Sequence, residues 1–219
     1  MDLLAIARGP LLEISIGIFV FGTVLRIVSL LALPRLKEKS IARPGARAPV
    51  VAGVREIARR FWPDREFAGR ALFHWINGWV FHIGLGIVVL FAVPHILFFE
   101  DLLGLSWPHL PNNVIFAVGI ITLGSLLAAL VMRIGNPVQR LISGFDDYLS
   151  WALTFLPVLT GVIAATHLGA RYETLLAWHI LSVEALLIWL PFGKLMHWFL
   201  VFVTRGQTGA HLNHRGAQL

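Results

Sequence analysis

Apolar residues in this chain gather into five long stretches, separated by shorter segments rich in charge, proline or glycine. The first covers residues 11–33, stops at Pro34 and past its midpoint carries one charge, Arg26. The second lies within 71–99, has no charged residue, and exceeds the roughly 20 residues a helix needs to cross a bilayer. It is expected to tilt or to kink, with Pro94 as the kink. The others cover 114–132, 148–166 and 175–203. This pattern predicts an all-α integral membrane bundle of five transmembrane helices, one domain over residues 1–219. Met1-Asp2-Leu3 lacks a basic start and the apolar run after it is too long for a signal peptide, so the first span is expected to remain.

The polar segments set the expected orientation. Residues 34–70 form a linker with Pro44, Gly45, Pro49 and Pro63 and ten basic residues (Arg35, Lys37, Lys39, Arg43, Arg47, Arg55, Arg59, Arg60, Arg65, Arg70) against four acids. Within it, 50–62 reads as a short amphipathic helix on the membrane surface, with Arg55, Arg59 and Arg60 reaching towards lipid phosphates. Arg133 and Arg140 in the loop at 133–147, and Arg205 and Arg215 in the tail at 204–219, join the linker's side if five spans are counted. The loops facing the other way hold only Arg8 and Arg171. The positive-inside rule then places the N-terminus outside and the C-terminus in the cytoplasm, as a multi-pass protein.

Composition narrows the chemistry. Hydrophobic residues make up 57% and charged residues 14%, with a mean hydropathy of +0.77, so a water-soluble fold could not hide the apolar surface. The net charge of +6 comes from residues between apolar spans, not from a basic face with interleaved aromatics, which argues for anionic lipid and against nucleic acid. Cysteine is absent, which excludes disulfides, thiolate-held iron–sulfur clusters and covalent c-type haem. Any metal must be held by histidine, carboxylate or methionine.

Five of the nine histidines, at 74, 82, 95, 179 and 197, lie in or at the ends of the second and fifth spans. Polar groups in a membrane are costly and usually functional, and one alone is commonly an interhelical hydrogen-bond partner. Several on just two helices ask for more. His179 and His197 are eighteen residues apart, five turns of 3.6, so on one straight helix they share a face about 27 Å apart along the axis. One metal cannot use both, whereas two cofactors stacked through the bilayer can, each held by a second imidazole from a facing helix. Bis-imidazole ligation of iron porphyrin in a bundle core has that form. The second span offers His74, His82 and His95, and antiparallel spans pair the later histidine of one with the earlier of the other. Choosing His82 with His95, His74 with His82, or His74 with His95 gives iron separations of roughly 23, 20 and 29 Å, the last too long for fast electron transfer.

The stretch from His179 to His197, with Pro191-Phe192-Gly193-Lys194-Leu195-Met196-His197 at its end, resembles the last helix of the gamma subunit of respiratory nitrate reductase. That family is a dihaem membrane cytochrome b, in which two ligating histidines stand eighteen apart before a Pro-Phe-x-Arg/Lys-Leu-x-His ending. Gly22-Thr23-Val24-Leu25-Arg26 is similar to the end of the family's first helix, and Phe81-His82-Ile83-Gly84 to the start of its second. The ten-residue spacing of the nitrate reductase ligands in that second helix does not occur here. The thirteen residues from His82 to His95 are similar to the related subunits of sulfur-metabolising and heterodisulfide reductase-type complexes. This favours His82 with His197 and His95 with His179. His74 also follows a Leu-Phe, as the family's first ligand does, so His74 with His197 and His82 with His179 is the alternative.

The resemblance implies two haem b groups, a quinone or menaquinone as exchangeable substrate, and electron transfer between the quinone pool and iron–sulfur and catalytic subunits on the cytoplasmic face. Arg26 and Lys194 are candidate partners of the haem propionates, with snorkelling to the interface as the other role. His167, Arg171 and Glu173 mark a candidate quinone region outside, or an ordinary solvated turn. Glu184 is an intramembrane carboxyl suited to a proton path or to a bond with a neighbouring helix, and the His211-x-x-His214 pair has metal-binding spacing on an expected flexible end. The competing reading is a haem-free scaffold or transporter subunit whose histidines relay protons or bind a metal, although paired broken helices of the transporter kind are not expected from the sequence. A membrane hydroxylase or desaturase would need histidine boxes that, apart from the tail pair, are missing.

Overall fold

A computed structural model describes residues 2–34, 39–63 and 66–217. Arg35, Lys37 and Arg65 of the basic linker lie outside the described residues. Ten α-helices and no strand occur among those described: α1 (Leu3–Ile6), α2 (Leu12–Leu31), α3 (Pro49–Arg59), α4 (Ala68–Phe91), α5 (Val93–Leu103), α6 (Asn112–Gly135), α7 (Pro137–Ile142), α8 (Phe145–Thr166), α9 (Tyr172–Trp189) and α10 (His197–Arg215). A π-helical turn at Ala7–Leu11 joins α1 to α2, because Pro10 lacks the N–H that a regular helix needs there and Gly9 absorbs the distortion. Together α1 and α2 form one apolar rod, Leu3–Leu31.

Four helices among the described residues are long and apolar enough to cross a membrane: Leu3–Leu31, Ala68–Phe91, Asn112–Gly135 and Phe145–Thr166. Large apolar side chains such as Phe21, 68% exposed, and Val131, 67% exposed, cover their outer faces, as lipid contact requires and water would not tolerate. A fifth crossing exists only if α9 and the segment Lys194–Arg215 count as one span, and these are bent by 78° to one another. The single straight helix expected over 175–203 is therefore broken. Pro191 withholds a donor, Gly193 adopts an extended backbone, and a short 3-10 turn, Lys194–Met196, leads into α10. The second span is also interrupted. Ala92 is extended (φ −76°, ψ 132°), since a residue close before a proline avoids further helix, and α5 starts afresh with Pro94 in its first turn. Thus the kink expected at Pro94 is a break at Ala92.

The helices pack in a row: α2 on α9, α9 on α8, α8 on α6 and α6 on α4. Its centre is a small apolar core of Leu123, Leu126 and Val158, with Phe81 and Leu85 of α4 against it. Polar ties hold the row in register: Ser125 Oγ donates to Asn77 Oδ1 at 2.8 Å, Trp151 Nε1 to the Leu126 carbonyl at 2.8 Å, and Trp189 Nε1 to Ser150 Oγ at 3.0 Å. Helix α4, at one end of the row, and α9, next to the α2 end, are not closely packed on each other among the described residues, and the open space between them forms a cleft.

Residues 204–215 do not form a loose tail. They are the second half of α10, which lies along α3 in the most extensive helix pairing of the molecule. Glycines permit the approach: a Cβ on Gly53 would meet the Gly206 carbonyl oxygen at 2.9 Å, and one on Gly209 the Ala52 oxygen at 2.8 Å. The amphipathic surface helix expected over 50–62 is thus α3, and its small-residue face is covered by the chain's own C-terminus.

Candidate functional site

Two imidazole pairs bridge the cleft. His82 of α4 and His197, the first residue of α10, have ring centres 6.1 Å apart, with planes nearly perpendicular at 88°. His95 of α5 and His179 of α9 have ring centres 6.0 Å apart and planes 24° apart. Each pair takes one member from either side of a broken span, so the breaks at Ala92 and Pro191 separate one pair from the other. Because the chain turns by 78° between His179 and His197, the two lie closer than the roughly 27 Å of a straight helix.

The spacing within each pair has a chemical meaning. Two imidazoles bound on opposite sides of one metal at about 2 Å per bond hold their ligating nitrogens about 4 Å apart, and their ring centres, each set back by about an ångström, about 6 Å apart. A direct imidazole–imidazole hydrogen bond would draw the rings closer along one N–H axis. Hydrogen bonding also selects the tautomer. A carbonyl can only accept, so His82 Nδ1 donates to the Gly78 oxygen at 2.7 Å, His95 Nδ1 to Val88 at 2.9 Å, and His197 Nδ1 to Lys194 at 3.0 Å. His179 Nδ1 lies 3.2 Å from Thr160 Oγ1, which is also within hydrogen-bond distance of the Leu156 carbonyl at 2.8 Å and of Ser182 Oγ at 3.0 Å. The rings of His82, His95 and His197 therefore keep Nε2 as the free lone pair, and the Nδ1 of His179 is likewise engaged. Tethering the second nitrogen in this way is what fixes a metal-ligating histidine.

Gly78 and Gly86 stand four residues before and after His82 on the same stripe of α4, and a Cβ added to either would meet nothing within 4 Å. Gly161 of α8 lies under the other pair, where a Cβ would come within 3.0 Å of His179 Cε1. Neither Thr160 nor Gly161 is singled out by any motif in the sequence, and only the packing of α8 on α9 assigns them a part. Among the described residues no group of three or more His, Cys, Asp or Glu is placed to hold a metal ion, so a metal bound here by protein alone would lack ligands. A porphyrin brings four nitrogens of its own, and two imidazoles complete the iron. In number and kind of donor, each imidazole pair fits what a porphyrin-held iron still needs.

The remaining candidates sit elsewhere. His74 is at the basic end of α4, with its Nε2 against the Gln139 side-chain amide of α7, away from both pairs. Arg26 donates from Nε to the Pro191 carbonyl at 3.3 Å, and Lys194 Nζ lies 2.6 Å from Asp147 Oδ2, while Arg133 lies 3.3 Å from the other oxygen of that carboxylate, Oδ1. Both cations expected beside propionates are engaged with protein groups at the break of the fifth span. His167 ends α8 in the left-handed region at φ 55° and stacks on Tyr172 at 4.7 Å, beside the exposed Arg171–Glu173 pair at 3.6 Å. Glu184 is only 4% exposed, and its Oε1 has no hydrogen-bond partner among the described residues. His214 gives Nε2 to the Ser40 carbonyl at 2.9 Å, so it clamps the linker onto α10 in place of the metal role considered for the tail.

No family model matches the chain, and no solved structure matches it. A protein of Nitratidesulfovibrio vulgaris (strain Hildenborough) is 30% identical to it over 213 residues, covering 94% of this chain and 91% of the relative. The chain belongs to one family with that protein.

Proposed function

We propose that this chain, taken with its Nitratidesulfovibrio relative as one family, is a dihaem b membrane subunit that carries electrons between the quinone pool and iron–sulfur partner subunits. The observation that carries the reading is the pair of facing imidazole couples, each with ring centres near 6 Å and every Nδ1 tethered. Bound haem supplies one-electron redox chemistry. The protein's residues do the rest. His82 with His197, and His95 with His179, present Nε2 lone pairs across the cleft. Gly78 and Gly86 leave room beside the backbone. Apolar helices exclude water and keep the local dielectric low.

The basic end, with the linker, α7 and α10, is read as cytoplasmic under the positive-inside rule, and catalytic and iron–sulfur subunits dock there. His167 and Arg171 at the opposite end, near the His95–His179 pair in sequence, mark the region for a quinone or menaquinone head group. The absence of cysteine means that the chain relies on partners for clusters.

A second reading has one observation in its favour. Both histidine-bearing apolar stretches are interrupted, at Ala92 and around Pro191, a feature shared with transporters whose substrates bind at helix interruptions. A visible spectrum of the purified protein distinguishes the two. Reduced b-type bands with about two haems per chain are the expected result; a colourless chain overturns the haem reading and favours the transporter.

A further inference from the structure

We infer that the cleft formed by the linker, α3 and the second half of α10 binds the phosphate headgroup of an anionic phospholipid. This cleft, about 390 Å³, is lined by Arg43, Arg47, Arg55 and Arg59, with Glu56 and Asn213 among them. It lies at the basic end of the bundle, apart from both imidazole pairs.

Backbone contacts hold the linker arginines against α10. Arg43 N donates to the His214 carbonyl at 3.0 Å, Arg47 N to Asn213 Oδ1 at 3.4 Å, and Asn213 Nδ2 returns a bond to the Arg47 carbonyl at 3.0 Å. Three separate stretches of chain are thereby folded around one cavity. The carboxylate of the cleft is already committed: Glu56 accepts from Arg59 at 3.0 Å and from Arg60 at 2.7 Å. No carboxylate among the described residues pairs with Arg43, Arg47 or Arg55. Arg43, Arg47 and Arg55 line one cleft as exposed side chains, and a phosphate offers the oxygens that their planar forks match.

The source of the phosphate follows from the rest of α3. Arg55, Glu56 and Arg59 line the cleft, while Val50, Val51 and Val54 stand exposed on the adjoining face, with Val50 at 78%. Cationic pocket and apolar stripe on one surface helix match an amphiphile, whose headgroup enters the cleft and whose chains lie over the valines. A free phosphate would leave that stripe bare.

The test uses the purified full chain in a non-ionic detergent, titrated with short-chain phosphatidylglycerol, with short-chain phosphatidylcholine, with inorganic phosphate, and with a polyglutamate peptide. Binding is read by native mass spectrometry and by thermal shift. Phosphatidylglycerol is expected to bind at least tenfold more tightly than phosphatidylcholine. A triple variant, Arg43→Gln with Arg47→Gln and Arg55→Gln, should bring it down to the phosphatidylcholine level. Arg70→Gln with Arg140→Gln and Arg205→Gln removes the same charge elsewhere and should leave the preference intact. Equal loss in both triple variants, no preference between the lipids, or tighter binding of inorganic phosphate or of the acidic peptide would overturn the assignment. None of these readouts depends on haem, so they stand or fall apart from the electron-transfer reading.

Discussion

Arg26 of α2 reaches the carbonyl of Pro191, 165 residues away, at the point where the fifth apolar stretch breaks. One helical turn earlier, Gly22 lies so close to the same proline that a Cβ there would meet Pro191 Cγ at 2.7 Å. The two contacts seat the break against α2. Pro191 cannot continue the helix, and the carbonyls around it lose their usual partners, so a guanidinium replaces one of those bonds. Gly22→Val should overpack this seat and cost about 1–3 kcal/mol. Arg26→Ala should cost about as much as a hydrogen bond to a charged group, roughly 1.5–3 kcal/mol. Thermal melts in detergent measure both. A Gly22→Val protein as stable as wild type would mean that α2 and the break do not touch as described.

The two imidazole pairs make separable predictions. His82→Ala or His197→Ala should each remove one haem, His95→Ala or His179→Ala the other, so that each single variant retains about one haem per chain. Two variants from the same pair combined should lose no more than either alone, while one from each pair should leave the protein colourless. Pyridine haemochrome content per chain is the measurement. Loss of both haems from every single variant would count against independent sites.

His74 separates the alternatives left open by the sequence. Its contact with Gln139 is remote from both pairs, so His74→Ala should keep both haems and an unchanged reduced spectrum. Loss of one haem would instead favour ligation by His74.

Gly161 lies against the His179 ring, where an added methyl group would come within 3.0 Å of Cε1. Gly161→Val should displace that imidazole from the Thr160 hydroxyl and alter one haem only. Expected signs are a shift in one reduction midpoint and one low-spin electron paramagnetic resonance signal, with the other unchanged. Identical spectra would show that α8 does not support this ligand.

Hydrogen bonds from Arg59, and then from Arg60, hold the Glu56 carboxyl below the ordinary range of a glutamate, against the opposing effect of its burial. Glu56 lies in α3, outside the membrane-spanning helices. A carboxyl whose pKa is depressed on folding contributes stability that is complete above its unfolded value of about 4.3 and is lost as pH falls through the lower folded value. The α3–α10 clasp should therefore loosen only below about pH 4, and Glu56→Gln should abolish that dependence while weakening the clasp at neutral pH. Limited proteolysis of the C-terminal helix across pH reads this out. A clasp that opens near pH 6 in the wild type would overturn the assignment to Glu56.

Much of the architecture is legible in one dimension. Long apolar runs bounded by charge mark membrane helices because the bilayer demands backbone bonds satisfied within each segment, and the runs over 114–132 and 148–166 sit within the observed α6 and α8. The histidines could be shortlisted because polar side chains in lipid are costly enough to need a reason. The ends of the elements were harder to read. The second half of α10 looked like a polar tail, since its helix is stabilised not by its own composition but by glycine-lined contact with α3, which only the folded chain brings together.

The sequence alone determined that this is a membrane bundle and that histidines on two of its apolar stretches are the residues to watch, because hydropathy and cost in lipid are local properties. Tertiary structure decided which histidines face one another. Extrapolating along straight helices placed His179 and His197 on one face, but Pro191 and Ala92 interrupt both spans, and the halves come to lie where packing holds them, as where Pro191 is seated against Gly22 and Arg26 of α2. A pairing across a cleft depends on where whole helices lie, and helix positions come from the sum of many distant contacts that no single stretch of sequence contains.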